Sequence, residues 1–168
     1  MIWKDCGASN RSVLFNTIDL QPQPVPIQSK DELNVSVSII LKEEVNEKMK
    51  LSVKIWRKFS LKSHNIYIPV PCILKLGSCD YDFCDFVEEM KDIYCPVLKV
   101  MGKPCNCPFP PDNYTASNVA VRFTKKIPRL IAKIGSGTYE VIGKLKNEHD
   151  VEIACAEAVI EIDMNEKT

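Results

Sequence analysis

Residues 33 to 41, LNVSVSIIL, alternate: Leu33, Val35, Val37, Ile39 and Leu41 fall on one side, Asn34, Ser36 and Ser38 on the other. A period of two marks a strand buried on one face. The alternation returns at 51 to 57, LSVKIWR, with Leu51, Val53 and Ile55 inward and Ser52, Lys54 and Trp56 outward, and a further strand is expected at 64 to 70. SNVAVRF (117 to 123) sets Val119, Val121 and Phe123 against Asn118, Ala120 and Arg122, and GTYEVIGKL (137 to 145) repeats the pattern around Tyr139, Val141 and Leu145. The last strand, 150 to 162, changes phase near Cys155, which predicts a bulge or burial on both faces there. One segment has another period: DFCDFVEEMKD (82 to 92) spaces Phe83, Phe86, Val87 and Met90 at i, i+3, i+4 and i+7, the mark of one short helix. Turn residues are frequent, at QPQPVP (21 to 26), Gly77-Ser78, Pro110-Pro111 and Gly135-Ser136-Gly137. Short strands at close spacing predict an all-β antiparallel sandwich or open barrel, and 168 residues without repeat or low-complexity tract predict one domain over 1–168.

Charge removes one class of partner. Lysine plus arginine number 22 and aspartate plus glutamate 22, so no net field recruits nucleic acid or an anionic membrane. No stretch reaches the roughly eighteen consecutive apolar residues of a membrane span. The start, MIWKDC, lacks the apolar region of a signal peptide, so the chain is expected to be soluble and to begin at a processed mature end.

Eight cysteines, Cys6, Cys72, Cys79, Cys84, Cys95, Cys105, Cys107 and Cys155, are an even count with six crowded into 72 to 107. That is the pattern of a disulfide framework. A zinc site needs a second cysteine pair or histidines at matching spacing, and His64 and His149 are remote, so no metal is expected. No C-x-x-C spacing offers a redox dithiol. Cys105 and Cys107 have one residue between them, too close to bridge each other without strain, so each is expected to reach a different partner from a loop stiffened by Pro104 and Pro108. Sequons at Asn10, Asn34 and Asn113 fit a secretory route, and Asn34 lies on the polar side of its strand, where a glycan fits.

Catalytic motifs are lacking. There is no G-x-S-x-G and no H-E-x-x-H, and GSGTYE has neither the third glycine of a dinucleotide loop nor the lysine of a phosphate loop. Glu88 and Glu89 are adjacent, so on a helix they diverge and read as a solvated face. No enzyme and no cofactor are expected.

The cysteine-rich region carries a resemblance. IPVPCILKLGSCDYDFCDF, GKPCNCPF and IPRLIAKIGSGTYEVIGKL, with WKDC at 3 to 6 and LQPQPVP at 20 to 26, resemble the ganglioside GM2 activator family, lysosomal lipid-transfer proteins whose fold is close to the MD-2-related lipid-recognition domains. The likeness runs nearly end to end, and P-C-x-C-P-F is its most specific motif. It implies disulfides Cys6–Cys155, Cys72–Cys79, Cys84–Cys107 and Cys95–Cys105, and a cup of antiparallel strands around an apolar lipid cavity. The cavity wall would then be drawn from the inward rows, Val35, Val37, Ile39, Val53, Ile55, Val121, Phe123, Tyr139 and Val141, although alternation alone does not tell a filled cup from a hollow one.

The same resemblance implies a non-enzymatic, secreted or lysosomal glycoprotein that takes up a glycolipid, phospholipid or fatty acid, meets a membrane surface transiently, and presents its lipid to a lysosomal glycosidase. The alternative is an extracellular chemosensory or signalling carrier of a small apolar ligand. Two aromatic rim positions of the family fall on Tyr67 and Leu130, so both tryptophans are gone, with Trp56 as a substitute. IPRLIAKIGSG (127 to 137) combines Leu130, Ile131 and Ile134 with Arg129 and Lys133, a composition suited to dipping apolar tips among headgroups.

Overall fold

Alternating apolar rows need a second apolar face to pack on, and here two antiparallel sheets supply one another's cover. The computed structural model describes residues 1–166; Lys167 and Thr168, the end of the expected domain, lie outside the described residues. The strands in chain order are β1 (Ile2–Asp5), β2 (Val13–Gln21), β3 (Val25–Pro26), β4 (Leu33–Leu41), β5 (Lys50–Leu61), β6 (His64–Pro69), β7 (Asp80–Asp82), β8 (Asp112–Val121), β9 (Gly137–Lys146) and β10 (Glu152–Asp163). Among the described residues, one sheet runs β1-β10-β9-β5-β6, with β3 added to β10 and β7 to β5, and a second runs β2-β4-β8.

The alternation located β4, β5, β6, β9 and β10 to within a few residues. β8 starts earlier than expected, at Asp112, and ends at Val121, leaving Phe123 beyond the strand. Its register slips opposite Val35 and Val37, and Asn118 there takes a φ of 52°, so the buried positions change from Tyr114 and Ala116 to Val119 and Val121. The phase change near Cys155 is a bulge between Glu152 and Ala154, with Ile153, Ala154 and Cys155 all buried.

The expectation of one helix is corrected: among the described residues there are three, α1 (Phe83–Glu89), α2 (Lys91–Val100) and α3 (Arg129–Ala132). α2 carries on the helical spacing through Tyr94, Val97, Leu98 and Met101 despite the internal Pro96, which removes one backbone donor. Covalent anchors offset that loss. Cys84 of α1 is bonded to Cys107 and Cys95 of α2 to Cys105, so the 105–107 loop is tied to both helices. Cys6–Cys155 joins the first strand to the last, and Cys72–Cys79 closes the loop between β6 and β7. All four pairs are those implied by the resemblance, and no described cysteine is free.

Candidate functional site

Cross-strand partners in an antiparallel ladder point the same way, so the register fixes which side chains share the inner face. In the larger sheet the inner rows are Leu51–Leu145–Ala154, Val53–Gly143–Ala156–Asp5, Ile55–Val141–Ala158–Trp3 and Arg57–Tyr139–Ile160. In the smaller sheet they are Leu20–Val35–Val119, Ile18–Val37–Ala116 and Phe15–Ile39–Tyr114. The middle of the large sheet therefore carries glycine and alanine where a filled sandwich would carry leucine or isoleucine. A β-carbon built at Gly143 meets no atom within 4 Å.

Burial follows the same division. Val53, Ile55, Val141, Ala156 and Ala158 in one wall, and Val35, Val37 and Ile39 in the other, are all half-buried. Interiors packed to ordinary density leave no such room. The fully buried side chains gather instead into three separate clusters: one of Val13, Val45, Met49, Val87, Phe109 and Leu145, one around Val25, Leu33, Val97 and Val121, and one around Val70, Ile127, Ile131, Tyr139 and Met164. The sandwich has packed clusters and an accessible apolar middle. A shallow depression of about 320 Å³ over β1, β10 and β9 is a separate feature: most of its lining, Ile2, Lys4, Glu140, Ile142, Glu157 and Val159, is of the outward phase, and no residue of the smaller sheet takes part.

Of the inward residues expected from sequence, Val53 and Val141 stay clear of the clusters, Val35 and Val37 pack half-buried against the second, Ile39 against the first and Ile55 against the third, and two are fully buried. Val121 is buried against Val97 of α2, and Tyr139 is 1% exposed beneath Ile131 of α3, its hydroxyl donating to the carbonyl of Gly135. Strand periodicity assigned them a face; the helices that cover that face are remote in sequence. Phe123 packs half-buried against the Tyr139 cluster. Gly143, Ala156 and Ala158 were missed because small residues carry little periodic signal, yet they make the floor.

At one end the shell is open to exposed apolar tips. β6 is exposed along its whole length, and Leu61, Ile66, Tyr67 and Ile68 are each between 43% and 57% exposed. α3 adds Leu130, and the Cys72–Cys79 loop adds Leu74, 83% exposed. These three segments meet at the Tyr139 cluster, since Val70 ends the β6 run, Ile131 belongs to α3 and Ile73 and Leu76 to the loop. Ile131, expected as an exposed tip, is buried in that cluster, and Ile134 packs against it; a four-residue helix can turn only one of Leu130 and Ile131 outward. Trp56 sits half-buried on the outward face of the sheet, opposite Pro69 and Glu140 and behind the hairpin tip.

Polar groups frame this shell. Asp5 accepts from the amides of Gly7 and Phe15 at 2.9 and 3.0 Å and from Arg11 Nε at 2.9 Å. Burial opposes its ionisation, but those donors outweigh it and hold the carboxyl below its ordinary range. Glu89 takes Lys75 and Lys125 at 3.4 and 3.2 Å, and Glu88 takes Lys91, as expected of a solvated helix face. Burial pushes the Tyr94 phenol up. Asn10, Asn34 and Asn113 are exposed, as are His64 and His149. Among the described residues no group of three or more His, Cys, Asp or Glu is placed to hold a metal, and no helix is long and apolar enough to cross a membrane.

A family model described as the ML domain matches residues 1–162. Comparison with curated proteins gives no match. Among solved structures the chain is similar to a Niemann-Pick type C2 protein from Japanese carpenter ant, at 16% identity and a TM-score of 0.44, covering 97% of this chain and 100% of that one. It is also similar to chicken MD-1 complexed with lipid IVa, at 14% identity and a TM-score of 0.39, covering 95% and 87%.

Proposed function

The chain belongs to the ML-domain family of lipid-recognition proteins, and from that premise we propose that it is a secreted or lysosomal carrier that lifts a lipid from a membrane, holds its chains between the two sheets and presents its headgroup to a partner. The observation that carries this reading is the apolar but accessible middle, with Gly143, Ala156 and Ala158 facing Val35, Val37 and Ile39. Each acyl CH2 exposed to water costs about 0.8 kcal/mol, so a lipid with roughly thirty of them faces a barrier near 20 kcal/mol when it leaves a bilayer unaided. A wall of half-buried valine and isoleucine offsets that cost as the chain withdraws. The exposed tips Leu61, Ile66, Ile68 and Leu130 would enter the headgroup layer, with Arg129 and Lys133 beside them for phosphates.

Within the family, the shared cysteine pairing supports a ganglioside-activator-like role, in which a lysosomal glycosidase acts on the presented headgroup and this chain makes no bonds itself. Exposed sequons at Asn10, Asn34 and Asn113 support a glycoprotein. A second reading is favoured by one observation: Val53, Val141, Gly143, Ala156 and Ala158 of the inner face stay clear of all three packed clusters, a short stretch of wall that suits a small apolar ligand in an extracellular carrier.

Native mass spectrometry of protein from its own tissue, with ligand retained, tests both. A two-chain lipid, together with transfer of labelled lipid between vesicles, supports the first reading. A bound fatty acid or other small apolar molecule without transfer supports the second, and an empty protein that takes up no lipid overturns both.

A further inference from the structure

The apolar wall of β5 ends in a cation. Arg57 follows Leu51, Val53 and Ile55 on the inward phase and stands opposite Tyr139 on one side and Ile68 on the other, half-buried where the sandwich gives way to the exposed hairpin. Its guanidinium carbon lies 4.1 Å from the ring centroid of Phe59 and 5.6 Å from that of Tyr139. Nη2 donates to the carbonyl of Ser136 at 2.8 Å, and Nη1 donates to the carbonyls of Lys58 and, at 3.4 Å, Thr138. Nε is buried and has no partner. Among the described residues Arg11 and Arg122 each pair with a carboxylate, whereas Arg57 and the exposed Arg129 have none within 4.0 Å, and of these two only Arg57 is half-buried.

The Nε of Arg57 is withdrawn from water with no partner, a cost that an opposite charge beside the guanidinium would offset and that carbonyl dipoles offset only in part. The chain nevertheless makes room for this guanidinium. A β-carbon at Gly137 would fall 2.0 Å from Nη2 and 2.2 Å from Cζ, so any other residue at the start of β9 would push the guanidinium out of this place. The glycine pair of GSGTYE, which matches no nucleotide loop, thereby acquires a purpose: Gly137 is the space in which the guanidinium sits.

We infer that Arg57 receives an anionic group of the ligand, a phosphate, sulfate or carboxylate borne by a lipid whose chains occupy the apolar middle. This rests on the proposed lipid binding and adds the ligand's class, acidic rather than neutral. Arginine suits the task because it stays charged at any physiological pH and presents donors in a fixed plane.

The test uses vesicles of phosphatidylglycerol and of phosphatidylcholine with identical chains, and reads uptake by wild type, Arg57→Met and Arg57→Lys. Wild type is expected to prefer the anionic lipid by about tenfold, the worth of one charge-assisted contact. Arg57→Met should lose the preference while still taking phosphatidylcholine, and Arg57→Lys should keep part of it. Equal uptake of both lipids by wild type overturns the inference, and because that comparison needs no substitution it stands even if a variant fails to fold. A preference that survives in folded Arg57→Met overturns it as well. Failure of wild type to take either lipid sinks the lipid-carrier reading instead. Inorganic phosphate alone raising the melting temperature of wild type but not of Arg57→Met would assign the site to free anions and overturn the headgroup as the source.

Discussion

The amide of Cys6 donates to the carbonyl of Cys155 at 3.0 Å, and the same two residues are joined by a disulfide across a sequence separation of 149. β1 is an edge strand of only four residues, so its hold on β10 depends on few hydrogen bonds and on this bond. Closing a loop of that length removes entropy from the unfolded chain worth about 5 kcal/mol. Cys6→Ser with Cys155→Ser is therefore expected to lower stability by about 4–5 kcal/mol in urea titration. A loss below ~1 kcal/mol would show that the unfolded chain is already held compact by the remaining bridges.

The accessible middle can be filled on purpose. Gly143→Val adds a branched side chain where a β-carbon meets nothing within 4 Å. Replacing a strand glycine is worth about 0.5–1 kcal/mol, so the melting temperature should hold or rise. Lipid uptake should fall several-fold, more so with Ala158→Phe added. A variant that melts earlier and transfers normally would mean the space is not where the lipid goes.

Leu130 and Ile131 are neighbours with opposite fates, the first exposed and the second 6% exposed. Leu130→Asp combined with Ile68→Asp is expected to slow vesicle-to-vesicle transfer while leaving the unfolding curve in place. Ile131→Ala removes buried contacts to the Tyr139 cluster and should cost about 2–4 kcal/mol. Transfer unchanged by the double aspartate variant would remove the rim from the mechanism.

Asp5 links stability to acidity. Its folded carboxyl lies below the ordinary value of 3.8, so its contribution is complete above about pH 4 and drains away as pH falls through the folded value. Asp5→Ala should thus be about 1–3 kcal/mol less stable than wild type at pH 7 and equally so at pH 5, with the gap narrowing toward pH 3. Denaturant titrations at the three values check it. A gap that widens on acidification would contradict the sign.

How far the chain could be read depended on the range of the signal. Leu33 to Leu41 showed a strand because each neighbour's side chain reports the face of the next, and Leu51 to Ile55 did the same. The same phase carried two residues beyond Ile55 falls on Arg57, left unassigned from sequence because nothing local marks that position as half-buried without a counter-ion. The second helix was hidden by Pro96, a residue that normally stops one, because its hold comes from its own Cys95 reaching Cys105, in a loop that Cys107 ties in turn to the first helix. Leu130 and Ile131 looked alike, since a four-residue helix is too short to show a period.

The sequence by itself determined the strands that alternate, the sides their residues take and a disulfide framework implied by eight cysteines, all of which follow from nearest-neighbour geometry and covalent chemistry. Only the tertiary structure decided that Val121 and Tyr139 are capped while Val53 and Val141 are not, and that Arg57 stands opposite Tyr139 with Gly137 making room for it. Whether an inward face is filled or open depends on what the opposing sheet and distant helices bring against it, and no single strand carries that information.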